Sequence, residues 1–432
     1  MRGLFAVAAL AGLSGCAGFA PLDEAERARI RVVAPAAARF SPEIDFKLPP
    51  GKAEGAAAGG AGMAMQSGQL CSFAIFFGPA NFFACLAAFG GTGAVIGAAG
   101  TPSNEGLETM VERGRSQLGA QDVQQLLMQR FSERVTRLTL HEIVPSAREL
   151  GPQSRTDAPN YAGLAAGENV LVAEVSVLIV GATLGEGLFG KDYAARPLRI
   201  GLTARMRVVR PSDGTAVMTR HYFVSRYGRS LQEYQEDGAR LLQTIAGAVD
   251  EVATLMVDDA FLLRSDAAGA DGTPAPAVEA LDPLPSGRCF ITLADDCWLF
   301  KRVPRLDTVA PTFRWKPFPE ASHFETAPWL RTARDLVYDL WIFGGDDDRV
   351  VEGLRTTEHK LARPLPECMR YFWAVRARFD TDAGPRTVEW STASGFFRMQ
   401  LQTLPEQPTY GAPFITPCPA KAAGPPSGSE KP

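Results

Sequence analysis

Leu198-Arg-Ile-Gly-Leu-Thr-Ala-Arg-Met-Arg-Val-Val209 alternates apolar and polar residues. Leu198, Ile200, Leu202, Ala204, Met206 and Val208 fall on one side, and Arg199, Thr203, Arg205 and Arg207 on the other. A period of two describes a β-strand with one face in a core. The arginine side reads as a solvated sheet face, with contact to lipid phosphates or an acidic partner as the alternative. Pro211-Ser-Asp-Gly214 is a turn, and the chain returns as a strand over Ala216 to Tyr227. Upstream, the near-continuous apolar run of residues 169–180 reads as a strand buried on both faces.

Helical patterns flank these strands. Leu241, Leu242, Ile245, Val249, Val252, Met256 and Ala260 form the apolar stripe of a long helix. Leu107 to Leu140 also reads as helix, broken near Gly119. Asp122 is its cap, with Gln125 three residues on, and Leu126, Leu127, Phe131, Val135 and Leu138 recur at helical spacing. Ile30-Arg-Val-Val33 is a first strand. The order over residues 28–263 is strand, insertion, helix, three strands, helix. That order predicts an α+β domain, with helices packed on one face of a mostly antiparallel sheet.

Residues 264–285 read as an Ala/Gly/Asp/Pro linker, and 405–432 as a Pro/Gly/Ser-rich tail with little order beyond an anchor at Cys418. Between them, over 286–404, strands recur at short spacing. Phe313 and Trp315 alternate, residues 336–343 are strongly β-prone, and Tyr371, Trp373, Val375, Ala377 and Phe379 mark another strand. Leu365, Tyr371, Trp373, Val375 and Ala377, with Trp315 and Tyr338 upstream, resemble the fibronectin type III signature over about 305–395. The resemblance implies an all-β sandwich with Tyr371 as its corner tyrosine. Cys368 and the acidic loop Asp346-Asp-Asp348 depart from the pattern. Sandwiches of this kind bind or space other molecules more often than they catalyse.

The first sixteen residues combine Arg2, an apolar run from Leu4 to Leu13, and Leu13-Ser14-Gly15-Cys16. The run is too short to span a bilayer as a helix and reads as a secretory signal. Its ending resembles the lipobox of bacterial lipoproteins. The resemblance implies cleavage after residue 15, acyl chains such as palmitate on Cys16, and a tether over 16–27. Ala17 after the lipidated position implies the outer membrane, facing the periplasm. Several acyl chains hold a protein far more firmly than one. With this anchor, the element order of 28–263 resembles periplasmic domains of envelope accessory lipoproteins, of the curli-secretion and transport-auxiliary types.

Six further cysteines remain in what would be an oxidising compartment: Cys71, Cys85, Cys289, Cys297, Cys368 and Cys418. Six cysteines allow fifteen pairings. Proximity along the chain favours Cys71–Cys85 and Cys289–Cys297, leaving Cys368–Cys418. Residues 55–104 carry no charge at all, and their second half contains Gly93-Ala-Val-Ile-Gly97, a spacing that lets helices approach closely. This insertion reads as a membrane-associated hairpin, an oligomerisation element, or an apolar segment packed on the chain's own core.

The rest of the composition narrows function by exclusion. At 432 residues, 46% apolar and 21% charged, the chain has enough apolar sequence for two or three cored domains, and neither disorder nor a polytopic membrane protein fits. A formal charge of −4 gives no electrostatic reason for nucleic-acid binding. Gly185 to Gly190 satisfies GxGxxG but leads into another strand rather than a helix, and so reads as a loop. The four histidines, His141, His221, His323 and His359, lack metal or catalytic spacing. Asp346-Asp-Asp348 lacks the full spacing of an EF-hand and reads as a solvated turn. The expectation is a non-enzymatic, lipid-anchored envelope protein without cofactor or metal. It would act as an assembly or transport accessory by binding envelope proteins or its own copies. The alternative is a subunit of an outer-membrane secretion pore that uses 55–104.

Overall fold

A computed structural model of the chain describes residues 22–37, 43–47, 112, 116, 122–145, 150, 160–161, 164, 169–184, 197–264, 276–288, 297–298, 301–344, 348–391 and 411–418. In the first domain, a short helix α1 (Glu24–Arg29) precedes strands β1 (Val32–Ala37) and β2 (Glu43–Lys47). Helix α2 (Val123–Leu138) and β3 (Glu142–Ile143) follow. Three long strands come next: β4 (Val170–Leu184), β5 (Pro197–Arg210) and β6 (Thr215–Ser230). Helices α3 (Leu231–Glu236) and α4 (Gly238–Val257) complete it, and α4 runs into a π-turn over Asp258–Leu262. The sheet order is β3-β1-β4-β5-β6, with β2 also on β4. β4, β5 and β6 are antiparallel, whereas β1, β2 and β3 pair in parallel. The two short parallel strands β2 and β3 carry too little pattern to be read from the sequence.

The alternation that opens the reading works as expected. All six apolar residues of β5 from Leu198 to Val208 lie in one core, with Leu171, Ala173, Val175 and Val177 of β4. Two helices cover that face. Val123, Leu127, Phe131, Val135 and Leu138 of α2 are buried, and α4 adds Leu241, Ile245, Val249, Val252 and Met256. Asp122 caps α2 by accepting from the Gln125 N–H at 2.8 Å. Among the described residues no helix is long and apolar enough to cross a membrane.

The other sheet face corrects the sequence reading. Leu150, Tyr161 and Leu164 pack over part of it, with Ala34, Ala36, Val172 and Val209. Arg205 is therefore only 4% exposed. It donates to Glu174 at 2.8 Å, and Arg207 lies 3.6 Å from the same carboxylate. Tyr161 and Ser176 complete this buried cluster. An alternating pattern separates the two faces of a strand but says nothing about what covers each face.

The second domain is built from strands. β7 (Ala280–Asp282), β8 (Ser286–Arg288), β9 (Cys297–Trp298) and β10 (Lys301–Arg302) are short. β11 (Thr312–Trp315), a helical turn α5 (His323–Thr326), β12 (Arg334–Phe343), β13 (Arg349–Leu354) and β14 (Glu358–Lys360) follow. β15 (Arg370–Thr381), β16 (Gly384–Thr387) and β17 (Ala412–Ile415) come last. One sheet is β14-β11-β7; another is β13-β12-β15-β16, with β17 also on β15. Phe313 and Trp315 of the first share a core with Tyr338, Leu340, Tyr371, Trp373 and Val375 of the second. β7 and β17 lie outside the 286–404 bounds drawn from composition. Phe414, inside the Pro/Gly-rich tail, is wholly buried against Phe313 and Tyr371. Its strand joins β15, and a disulfide links Cys368 to Cys418 just beyond.

Candidate functional site

The two domains meet over the outer surface of helices α2 and α4. A cleft of about 520 Å³ opens there, walled by the helices on one side and by β12 and β13 on the other. Arg130, Arg134 and Arg137 recur at i, i+4 and i+7, and so stand in one row on α2. Arg130 lies 3.1 Å from Glu133 and 3.4 Å from Asp250, and Arg134 lies 3.8 Å from Asp250. Arg137 reaches across to Glu352 of β13 at 2.8 Å.

Beside this cleft, each domain lends one buried arginine to the other. Arg226 of β6 donates to Glu251 of α4 at 2.9 and 3.1 Å, and its remaining arm meets Asp348 of the second domain. The guanidinium passes over Gly247, where a Cβ would stand 2.5 Å from Nη1. Arg376 of β15 answers it. Its Nε donates to Asp339 at 3.1 Å, and its Nη1 donates to Asp258 of the first domain at 2.5 Å. Asp339 also accepts from Arg378 and from the Gly353 N–H. The indole of Trp390 lies against Arg376, 4.4 Å from guanidinium carbon to ring centre. At the edges of the junction, Arg386 meets Glu24, and Arg264 stacks 4.5 Å from Trp329.

The electrostatics follow from this geometry. Burial acts to discharge Arg226 and Arg376, but their carboxylate partners outweigh it and keep both protonated. Burial likewise opposes ionisation of Asp339, yet Arg376 and Arg378 hold its carboxyl below the usual range. Asp259 behaves differently. Burial outweighs Arg220, the neighbouring Asp258 adds repulsion, and its pKa rises to about 7. A buried charge is tolerable only when paired, and removing one member of such a pair leaves the other stranded. The arrangement fixes the two domains against one another through crossed charges.

Most residues singled out from the sequence lie elsewhere. Cys16, Cys71, Cys85, Gly93, Gly97, Cys289 and the 185–190 loop fall outside the described residues. Cys297 is in β9 without a described side chain. The pairings Cys71–Cys85 and Cys289–Cys297 thus lie outside them too, whereas Cys368–Cys418 is bonded. The histidines are dispersed. His141 packs 4.9 Å from Phe261, and burial, then nearby arginines, lower its pKa to about 4. His221 is exposed on β6; His323 accepts the Glu320 N–H; His359 is half-buried on β14. Among the described residues no group of three or more His, Cys, Asp or Glu is arranged to hold a metal. The acidic loop corrects a second expectation: Asp348 is not a solvated turn residue but the partner of Arg226, because the other domain covers it.

The junction residues carried signals that composition alone obscures. Arg226 has the parity of Tyr222 and Val224, so it interrupts the core-facing row of β6. On the second domain, Trp341, Phe343, Phe372 and Trp390 form an aromatic cluster apart from the main core. Aromatic residues on both faces of a sheet indicate that both are covered. No protein-family model matches the chain, and no curated protein matches it.

Proposed function

We propose that the chain is a non-enzymatic, lipid-anchored envelope protein that serves as an assembly or transport accessory by protein–protein binding. The crossed arginine junction carries the reading. It makes one body of two domains, so that surfaces on both would be presented at a fixed spacing from the membrane. Cys16 would supply the anchor at the outer membrane, with the body facing the periplasm. The strand order and the shared aromatic core of the second domain support a fibronectin type III-like sandwich, a fold used widely to space and bind.

Two measurements on the full chain test this. Labelled palmitate should appear on the wild type and be lost in Cys16→Ala. Mild detergent extraction should then co-purify envelope proteins with the wild type and fewer of them with Arg226→Gln/Arg376→Gln. Recovery of the chain in the cytosol with residues 1–15 attached would overturn the reading. A large homomeric ring in detergent, lost on deletion of 55–104, would favour the pore subunit instead.

A further inference from the structure

The first domain's sheet ends at β6, and among the described residues β5 is its only strand partner. β6 is 16 residues long. On its side away from the helices, Thr219, His221 and Phe223 are exposed and Ser225 is half-buried. Phe223 is 55% exposed, the one exposed aromatic among the large apolar side chains found exposed in the described residues. This strip is uncharged at neutral pH. Partial burial, and then the Arg205 and Arg207 guanidiniums behind it, hold the His221 imidazole below its usual range. Exposed sheet edges are usually guarded by lysine, proline or an inward charge that forbids pairing. From Thr215 to Ser230 there is neither lysine nor proline. Arg220 and Arg226, on the helix side, are bound to Asp259 and to Glu251 and Asp348.

We propose that β6 pairs antiparallel with β6 of a second copy of this chain, with the twofold axis at Tyr222, so that two sheets become one. The axis is chosen by charge and ring pairing. Centred on Tyr222, Arg220 stands opposite Val224 and Arg226 opposite Met218, while His221 meets Phe223 of the copy twice. Centred on Phe223, Arg220 would face Arg226, and like charges directly opposite are destabilising. The strip therefore complements itself in a register that keeps its arginines apart. This surface lies on the sheet edge, apart from the cleft, and does not depend on the accessory role proposed above.

The test uses the full chain solubilised in mild detergent. Sedimentation over a concentration series should give a dimer. Phe223→Lys and Thr219→Lys, both at exposed positions, should each raise the dimer dissociation constant at least tenfold, with the unfolding midpoint of the dilute, monomeric chain unchanged. His221→Cys and Phe223→Cys chains should cross-link to each other on oxidation when mixed, and neither should cross-link to itself through the new cysteine. A monomer at every concentration would overturn the proposal. So would a dimer indifferent to both lysine variants, or self-cross-linking of Phe223→Cys.

Discussion

Arg376→Leu is the sharpest probe of the junction. The substitution removes the guanidinium that stands 2.5 Å from Asp258 and 3.1 Å from Asp339. Asp339 keeps Arg378 and the Gly353 N–H, but Asp258, 4% exposed, loses the ion pair that crosses between the domains. Removing one member of a buried pair costs about 3–5 kcal/mol. That is a large share of the roughly 5–15 kcal/mol by which a domain is stable. At roughly 2–4 °C per kcal/mol for a domain of this size, the melting temperature should fall by roughly 6–20 °C. Lost stacking on Trp390 adds to the effect. Asp258→Leu alone should also destabilise, because it leaves Arg376 with Asp339 only. The double variant should recover part of the loss, since it buries neither charge. Coupling within a contacting pair is on the order of 0.5–3 kcal/mol. Urea unfolding of the four chains, followed by tryptophan fluorescence, gives the cycle. Costs that simply add, or a loss under about 1 kcal/mol for Arg376→Leu, would refute the crossed-charge account.

Three further outcomes are expected. Asp259 has a raised pKa in the folded chain, so the native state holds an extra proton between about pH 4 and 7. That contribution is present in acid and lost as pH rises through 7. Asp259→Asn should therefore match the wild type near pH 3.5, draw ahead of it as pH rises, and be the more stable at pH 8, by up to about 4 kcal/mol from the linkage relation; a difference in stability that does not change between these two pH values would contradict this. Cys368→Ser opens a loop of 50 residues and should destabilise the second domain by about 4 kcal/mol on the chain-entropy estimate, read by differential scanning calorimetry. Gly247→Ala should displace the Arg226 guanidinium, and limited proteolysis of the chain should then quicken; an unchanged cleavage rate would mean that the guanidinium has another route to Asp348.

What was legible in the sequence was local. The β5 alternation, the Asp122 cap and the helical stripe from Leu241 to Met256 each depend on neighbours a few residues away, and each has the structural role its pattern assigns. The second domain's core aromatics, Trp315, Tyr338 and Trp373, were equally plain. β17 was hidden because Pro413 and its Pro/Gly-rich surroundings mask a strand of only four residues that donates Phe414 to a core built far upstream. The burial of Arg205 was hidden because its cover comes from Leu150, Tyr161 and Leu164, on a separate stretch with no periodicity. The junction was least visible of all. Asp258 and Arg376 are 118 residues apart, and a charge that will be buried looks in sequence like one that stays in water.

The late return of Ala412–Ile415 sets where the gene can be cut. A fragment spanning 286–404 would lack both β7 and β17. It would open the pocket that Phe414 fills and strip β15 of its β17 partner along one edge from Arg370 to Trp373. A fragment from 276 to 418 retains both strands and the crosslink, yet it still carries Arg376 without Asp258. Excision at the right residues would yield a β-rich domain whose exposed flank is an aromatic and cationic scar where its neighbour used to sit.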